Sequence, residues 1–246
     1  MTSIERIEEI EVAGHPVEIV RKKIMNLHVG VYPPHGRIRV AAPLSISLEA
    51  IKLAVSTRLS WIRRKQVEFQ CQDRESPRKF VSGETHYVFG KPYRLSVRRS
   101  DEGAKVELGP GNRLILTVST NATLEDKERR LAGWQRDQLR QRIPARVDEW
   151  ANRLDVETPS WRIKRMKTLW GSCNPEKGLI WINLELSKKP LACLDYVVLH
   201  EMAHFISPRH DDRFVSVLDR MMPNWRQIRS DLNAMPLGHE PRFRSE

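Results

Sequence analysis

The chain has 246 residues, 30% of them charged, with 42 Lys and Arg against 31 Asp and Glu for a net charge of +11. That length allows one large domain or two small ones with full cores, and the cationic excess favours an anionic substrate or polyanionic partner. Three cysteines make no disulfide scaffold, no apolar run approaches the ~20 residues of a membrane span, and Met1-Thr2-Ser3-Ile4 starts no signal core, so a cytoplasmic setting without membrane contact is expected.

Residues 4–42 predict a β-meander. Gly14-His15-Pro16 separates two strand-like runs, Leu27, Val29 and Val31 alternate with other residues, as do Ile38, Val40 and Ala42, and Pro33-Pro34-His35-Gly36 turns between them. Ser47 is placed to cap a helix carrying Leu48, Ile51, Val55, Leu59, Ile62 and Phe69 at helical spacing, with Arg58, Arg63, Arg64 and Lys65 on its remaining faces. A polar loop over 72–78 leads to short strands at Lys79–Val81, Thr85–Phe89 and Tyr93–Val97, then a hairpin of Val106–Leu108 and Leu114–Val118. A long helical pattern runs from Leu124 to Leu154, where Pro144 should kink or split it. Its arginines, including Arg129, Arg130, Arg136, Arg140, Arg142 and Arg146, make it the most basic part of the chain. No segment repeats in this reading.

Strand-like runs at Trp161–Lys164 and Leu179–Asn183 enclose Trp170-Gly171-Ser172-Cys173-Asn174 and a turn at Pro175–Gly178. A hairpin here could hold an extended substrate by main-chain hydrogen bonds along its edge. Next comes a helix with an apolar face of Leu191, Leu194, Val198, Met202, Phe205 and Ile206, begun near Pro190 and ended at Ser207-Pro208. It contains His200-Glu201-Met202-Ala203-His204. Side chains four apart lie on one helix face, so both imidazoles can meet one ion at about 2.0–2.1 Å. Glu201, beside the first histidine, can then take a proton from water held at the open position of that metal. His210 leads as third ligand because the break at 207–209 lets the chain turn back. Asp211, Asp212, His239 and Glu240 are its rivals. Cys173 is read as packing. Helices then continue through Phe214, Val217, Leu218 and Met221, and from Trp225 to about Met235.

Trp170-Gly171-Ser172-Cys173, Gly178-Leu179-Ile180, Asn183-Leu184-Glu185-Leu186 and the histidine helix with His210 and Phe214 resemble the YgjP-like group of zincin metallopeptidase-like proteins, related to SprT-like and WLM proteases. The resemblance is strong over roughly 161–232. It implies an α+β fold, a minimal zincin-like core preceded by a β-rich region, with metal ligands His200, His204 and His210 and acid/base Glu201. The corresponding division is a β-rich region with one long helix at 1–120, a zincin-like catalytic region at 121–236, and a frayed tail at 237–246.

The leading reading is a zinc metallopeptidase acting on peptide or protein; nickel or another late transition ion also suits histidine ligands. Tyr196, Arg209, Arg213 and His239 are candidates to stabilise the oxyanion. The first alternative is metal-dependent hydrolysis of a nucleoside triphosphate, with Lys164, Arg165, Lys167 and Arg209 holding phosphates, although no phosphate-cradling glycine loop is present. The second is a DNA-associated SprT-like protein acting on bound proteins, its non-specific nucleic-acid contact supplied by net charge.

Overall fold

The computed structural model describes residues 4–32, 36–71, 78–100, 103–166 and 168–235, and within them the chain is α+β. The tail at 237–246 and Lys167 lie outside the described residues. Two compact units are present, 1–74 and 75–246. No described helix is long and apolar enough to cross a membrane.

In the first unit, β1 (Ile4–Val12), β2 (His15–Lys22), β3 (His28–Tyr32) and β4 (Arg37–Pro43) form a sheet in the order β1-β2-β4-β3. This corrects the meander: β4 inserts between β2 and β3 and runs parallel to β2, Val17 facing Ile38 and Ile19 facing Val40. Both strands have buried alternating residues, which suits a central pair. The helix after Ser47 is two segments, α1 (Leu48–Ser56) and α2 (Leu59–Cys71). Ile51, Val55 and Ile62 pack on Val17, Ile19, Ile38 and Val40 of the sheet. The side chain of Phe69 lies outside the described residues.

The second unit opens with β5 (Thr85–Val88), β6 (Lys91–Arg99), β7 (Lys105–Gly109) and β8 (Arg113–Val118), in the order β5-β6-β8-β7. Lys79–Val81 is not a strand. The Glu84 carboxylate accepts the Lys79 and Phe80 N–H groups at 2.8 and 3.1 Å, and Phe80 sits at φ 52°, outside extended backbone. Next come α3 (Leu124–Arg140) and α4 (Ile143–Leu154), the split that Pro144 predicts. Thr123 and Asp126 close a capping box on α3. Leu131 of α3 packs into the core formed by Leu95, Leu114, Leu116 and Val118. This burial ties the second sheet to the helices that follow it within the second unit.

The two sheets are copies of one arrangement, contrary to the expectation that nothing repeats. Each is a hairpin, a central parallel pair and a second hairpin, and each is followed by two helices. Counterparts stand 76 residues apart in sequence: Val12 and Val88, Gly14 and Gly90, Pro16 and Pro92, Ile38 and Leu114, Val40 and Leu116, Ser47 and Thr123, Val55 and Leu131. The first hairpin turns match in conformation, with Ala13 and Gly14 at φ 50° and 78° and Phe89 and Gly90 at 46° and 79°. Positive φ at both central positions is the twist a two-residue hairpin needs. The parallel registers differ by two residues, Val17 facing Ile38 but Leu95 facing Leu114. An even displacement keeps the same face buried, and the apolar positions hide the repeat because most are conserved in kind only.

The rest of the second unit is built around α5 (Leu191–Ala203). A small sheet of β9 (Ser160–Lys164), β10 (Gly171–Asn174) and β11 (Leu179–Asn183) has the order β10-β11-β9. The sequence reading recognises β9 and β11 as strands, but they pair in parallel, not as a hairpin; the antiparallel partner of β11 is β10, an additional short edge strand. A short 3-10 turn, Leu184–Lys188, leads into α5, and α6 (Asp212–Met221) and α7 (Trp225–Ala234) follow it. Phe89 and Gly90 donate their N–H groups to the carbonyls of Ser187 and Lys188, so the β5-β6 turn braces the start of α5.

Candidate metal centre

Helix α5 is apolar on nearly every side: Leu194, Val198, Leu199 and Met202 are fully buried. A helix enclosed in this way is held by packing rather than by one amphipathic stripe. That rigidity fixes His200 in its last turn and His204 at its C-cap. The chain then turns through Ser207, whose hydroxyl donates to Asp211 at 2.8 Å, while Asp211 accepts the Phe214 N–H at 3.0 Å as N-cap of α6. The predicted turn-back therefore occurs, and it returns His210 to the first two histidines.

The side-chain donors of His200, His204 and His210 all lie within 4.8 Å of one another. Nε2 of His210 is 3.1 Å from Nε2 of His200. Two nitrogens bound to one tetrahedral zinc at about 2.0–2.1 Å would lie roughly 3.3 Å apart, so this donor set fits such an ion. Two of the three rings have a contact on the back side. The Tyr196 hydroxyl approaches Nδ1 of His200 at 3.4 Å, and the Ser207 carbonyl approaches Nδ1 of His204 at 3.3 Å. Partners on Nδ1 orient a ring and leave Nε2 for a metal. Beneath all three imidazoles lies Phe214, with centroid distances of 5.0, 4.8 and 4.6 Å.

Glu201 is buried, 6% exposed, next to this cluster. Burial pushes its carboxyl up to about 8. Burial, then the charges of His204 and His210, push His200 down to about 3, keeping its lone pair free for a cation. Over the Glu201 carboxylate runs Gly171 of β10: a Cβ at that position would stand 2.5 Å from Oε1. The loop entering β10 is held by Asn183, whose amide donates to the Met166 and Leu169 carbonyls at 2.9 and 2.7 Å. Its carbonyl accepts the Glu185 N–H at 3.1 Å.

Other candidates fall elsewhere. Asp211 is committed to capping α6. Asp212, the first residue of that helix, is not in the donor cluster among the described residues. His239 and Glu240 lie outside the described residues. Tyr196 is buried behind His200 and stacked on Trp225, a position suited to orienting the ring. Arg209 and Arg213 are exposed. Half-buried Cys173 has its thiol pushed up to about 12 by burial and by Glu201, so it is protonated at neutral pH. Of the basic residues suggested for phosphate, Arg165 is held by Glu128 at 2.8 Å and Lys164 lies over Trp181. Several helix arginines are engaged within the chain: Arg129 by Glu125 and Asp126, Arg140 by Asp137, Arg146 by Asp195.

The parts missed in the sequence are those that act across the fold. Phe214 was read as one position on an apolar helical face, and neither Gly171 nor Asn183 carried a local signal of its role.

A family model described as YgjP-like, metallopeptidase domain, matches residues 27–235. The chain belongs to the YgjP-like family. The match reaches into both compact units, taking in β3 and β4 of the first sheet but not β1 and β2. The crystal structure of the metallopeptidase zymogen of Pyrococcus abyssi abylysin is similar over 37% of this chain and 90% of its own, at 17% identity and TM-score 0.35. That of Methanocaldococcus jannaschii jannalysin is similar over 37% of this chain and 86% of its own, at 24% identity and TM-score 0.34. No curated protein matches the chain.

Proposed function

We propose that this YgjP-like protein is a zinc peptidase, with His200, His204 and His210 holding the ion and Glu201 as its acid/base. The convergence of three histidine donors beside one buried carboxylate carries the reading. Bound zinc would supply Lewis acidity and a water of lowered pKa. Glu201 accepts a proton from the attacking water and returns it to the leaving amine, and its raised affinity for protons suits both duties near neutral pH. His200 and His204 are oriented through the contacts on their far sides, and Phe214 lies beneath all three imidazoles.

The substrate assigned to the site is an extended peptide. β10 is an edge strand, paired on one side with β11, and its first residue lies over Glu201. Its outer main-chain groups can pair with a peptide backbone and bring a scissile bond to the carboxylate. The catalytic part is assigned to 121–236, and the free cysteines Cys173 and Cys193 suit a reducing cytoplasm.

The test is turnover of casein and of a peptide library by zinc-loaded protein. Hydrolysis should stop with a chelator, return with zinc and be abolished in Glu201→Gln. Equal turnover by Glu201→Gln would rule the reading out.

A further inference from the structure

The three-stranded sheet beside α5 has a face that the proposed chemistry leaves unused. Ile163, Ile180 and Ile182 join the core around α5. Successive side chains on a strand alternate between faces, so Arg162, Lys164, Trp181 and Ser172 point the other way. In register they form a row: Arg162 of β9 stands beside Trp181 of β11, and Trp181 beside Ser172 of β10. Arg162 and Lys164 are exposed, and both lean over the Trp181 ring, the guanidinium carbon 5.5 Å and the ammonium nitrogen 5.8 Å from its centroid. A cation over a ring keeps its full charge. Neither side chain has a carboxylate partner among the described residues, and no strand of this sheet contains an aspartate or glutamate.

This face is continuous with the open edge of β10. The Asn183 N–H bonds the Trp170 carbonyl at 2.9 Å, and antiparallel pairing alternates between bonded and unbonded pairs. The main-chain groups of Gly171 and Cys173 therefore point away from β11, towards an added strand. A substrate residue paired with Gly171 lies on the Glu201 side of the sheet. Its neighbour, opposite Ser172, has its side chain on the outward face, in line with Trp181 and Arg162. Two strand spacings, roughly 9.6 Å, separate that residue from β11. By tilting over Trp181 the two cations project from β9 towards the same edge. An acidic side chain leaning over the small Ser172 comes within a Debye length, about 8 Å at physiological salt, of both charges.

We propose that Arg162 and Lys164, held over Trp181, select peptides that carry an aspartate or glutamate opposite Ser172, so that the substrates are acidic extended segments. This deepens the assignment of an extended peptide to β10 and rests on it. A single strand of nucleic acid would also meet positive charge here, but its bases need an open aromatic face to stack on, and the Trp181 ring already carries two cations.

The experiment uses the zinc-loaded full chain and pairs of peptides around one cleaved bond, the members of each pair differing by Glu or Gln at a single position. At one position near the scissile bond the Glu peptide should have a kcat/KM about fivefold to tenfold above its Gln twin, mainly through KM and less so at high salt. In Arg162→Gln combined with Lys164→Gln that ratio should collapse, and in Arg162→Glu combined with Lys164→Glu it should invert. Both side chains are exposed, so the fold is not at stake. Cleavage with no Glu preference at any position, or a preference unchanged in the double glutamine variant, would overturn the inference while the peptidase reading stands. If no peptide is cleaved, the peptidase reading falls and binding to the Glu201→Gln chain decides. Salt-sensitive binding of a labelled Glu peptide over its Gln twin, lost in the double glutamine background, supports the selective face; equal binding of the twins overturns it. Oligothymidylate that displaces the Glu peptide and loses its own affinity in the same background would also overturn it, assigning the face to nucleic acid.

Discussion

Substituting Gly171 by alanine adds one methyl group at the position where β10 crosses the proposed acid/base. Its Cβ would lie 2.5, 2.6 and 2.8 Å from Oε1, Cγ and Cδ of Glu201. Comfortable separations are roughly 3.5 Å, so the overlap is close to 1 Å. The backbone cannot easily retreat, since Gly171 is buried and paired opposite Ile182 in the ladder. Glu201 is anchored at its own Cα by a buried helix, so its carboxylate has to swing away. A displacement of about 1 Å at a reacting group can cost on the order of 10²-fold in rate, equivalent to about 2.7 kcal/mol of barrier. The methyl touches none of the three histidines among its nearest atoms, so zinc content should remain at the wild-type level. The assay is kcat/KM on a cleaved peptide alongside zinc analysis and a denaturant midpoint. Gly171→Ala combined with Glu201→Asp should lose less than the sum of the two changes, because the shorter acid vacates the contested space. Full zinc occupancy with activity within threefold of wild type would refute the reasoning.

Phe214→Ala should lower stability by about 3–5 kcal/mol in denaturant unfolding and weaken zinc binding, because the buried ring underlies all three imidazoles. Asn183→Leu strands the Met166 and Leu169 carbonyls and should cost about 2–4 kcal/mol in the same measurement. Gly14→Ala and Gly90→Ala each strain a left-handed turn, but only the second adds a Cβ 2.9 Å from Pro190, so it should shift the midpoint of its unit more. His86 titrates below its ordinary value through burial, beside Glu84, Arg78 and Lys188. The unfolded chain therefore binds the extra proton first, and stability should fall as pH drops below about 6.5 towards the lowered folded value, with no effect above it. His86→Gln should flatten that slope between pH 7.5 and 5, and an unchanged slope would count against the burial cause.

The histidine centre was legible because its signal is local. Four-residue spacing on one helix and a proline-marked turn suffice to bring His200, His204 and His210 together, and the apolar run around them announces a buried helix. Pro144 likewise announced the break between α3 and α4. Sheet order was not legible: alternation in β2, β3 and β4 shows which face is buried but not which strands are neighbours, and a meander has the same pattern. Lys79–Val81 looked like a strand because propensity cannot register that Glu84, four or five residues on, takes its N–H groups. The repeat was concealed because few of its residues recur as such, among them Gly14 and Gly90, Pro16 and Pro92, and Val12 and Val88, while most of its core recurs only as burial. Gly171 and Asn183 exert their effects on partners 30 and 17 residues or fewer away in sequence but adjacent in space, Glu201 and Met166 among them.

The central claim is tested most directly by metal analysis of the purified chain beside single histidine variants and Glu201→Gln. The account predicts one zinc per wild-type chain, marked loss in His200→Ala, His204→Ala and His210→Ala, and full retention in Glu201→Gln. Undiminished zinc in His210→Ala, or in either of the other two histidine variants, would contradict it.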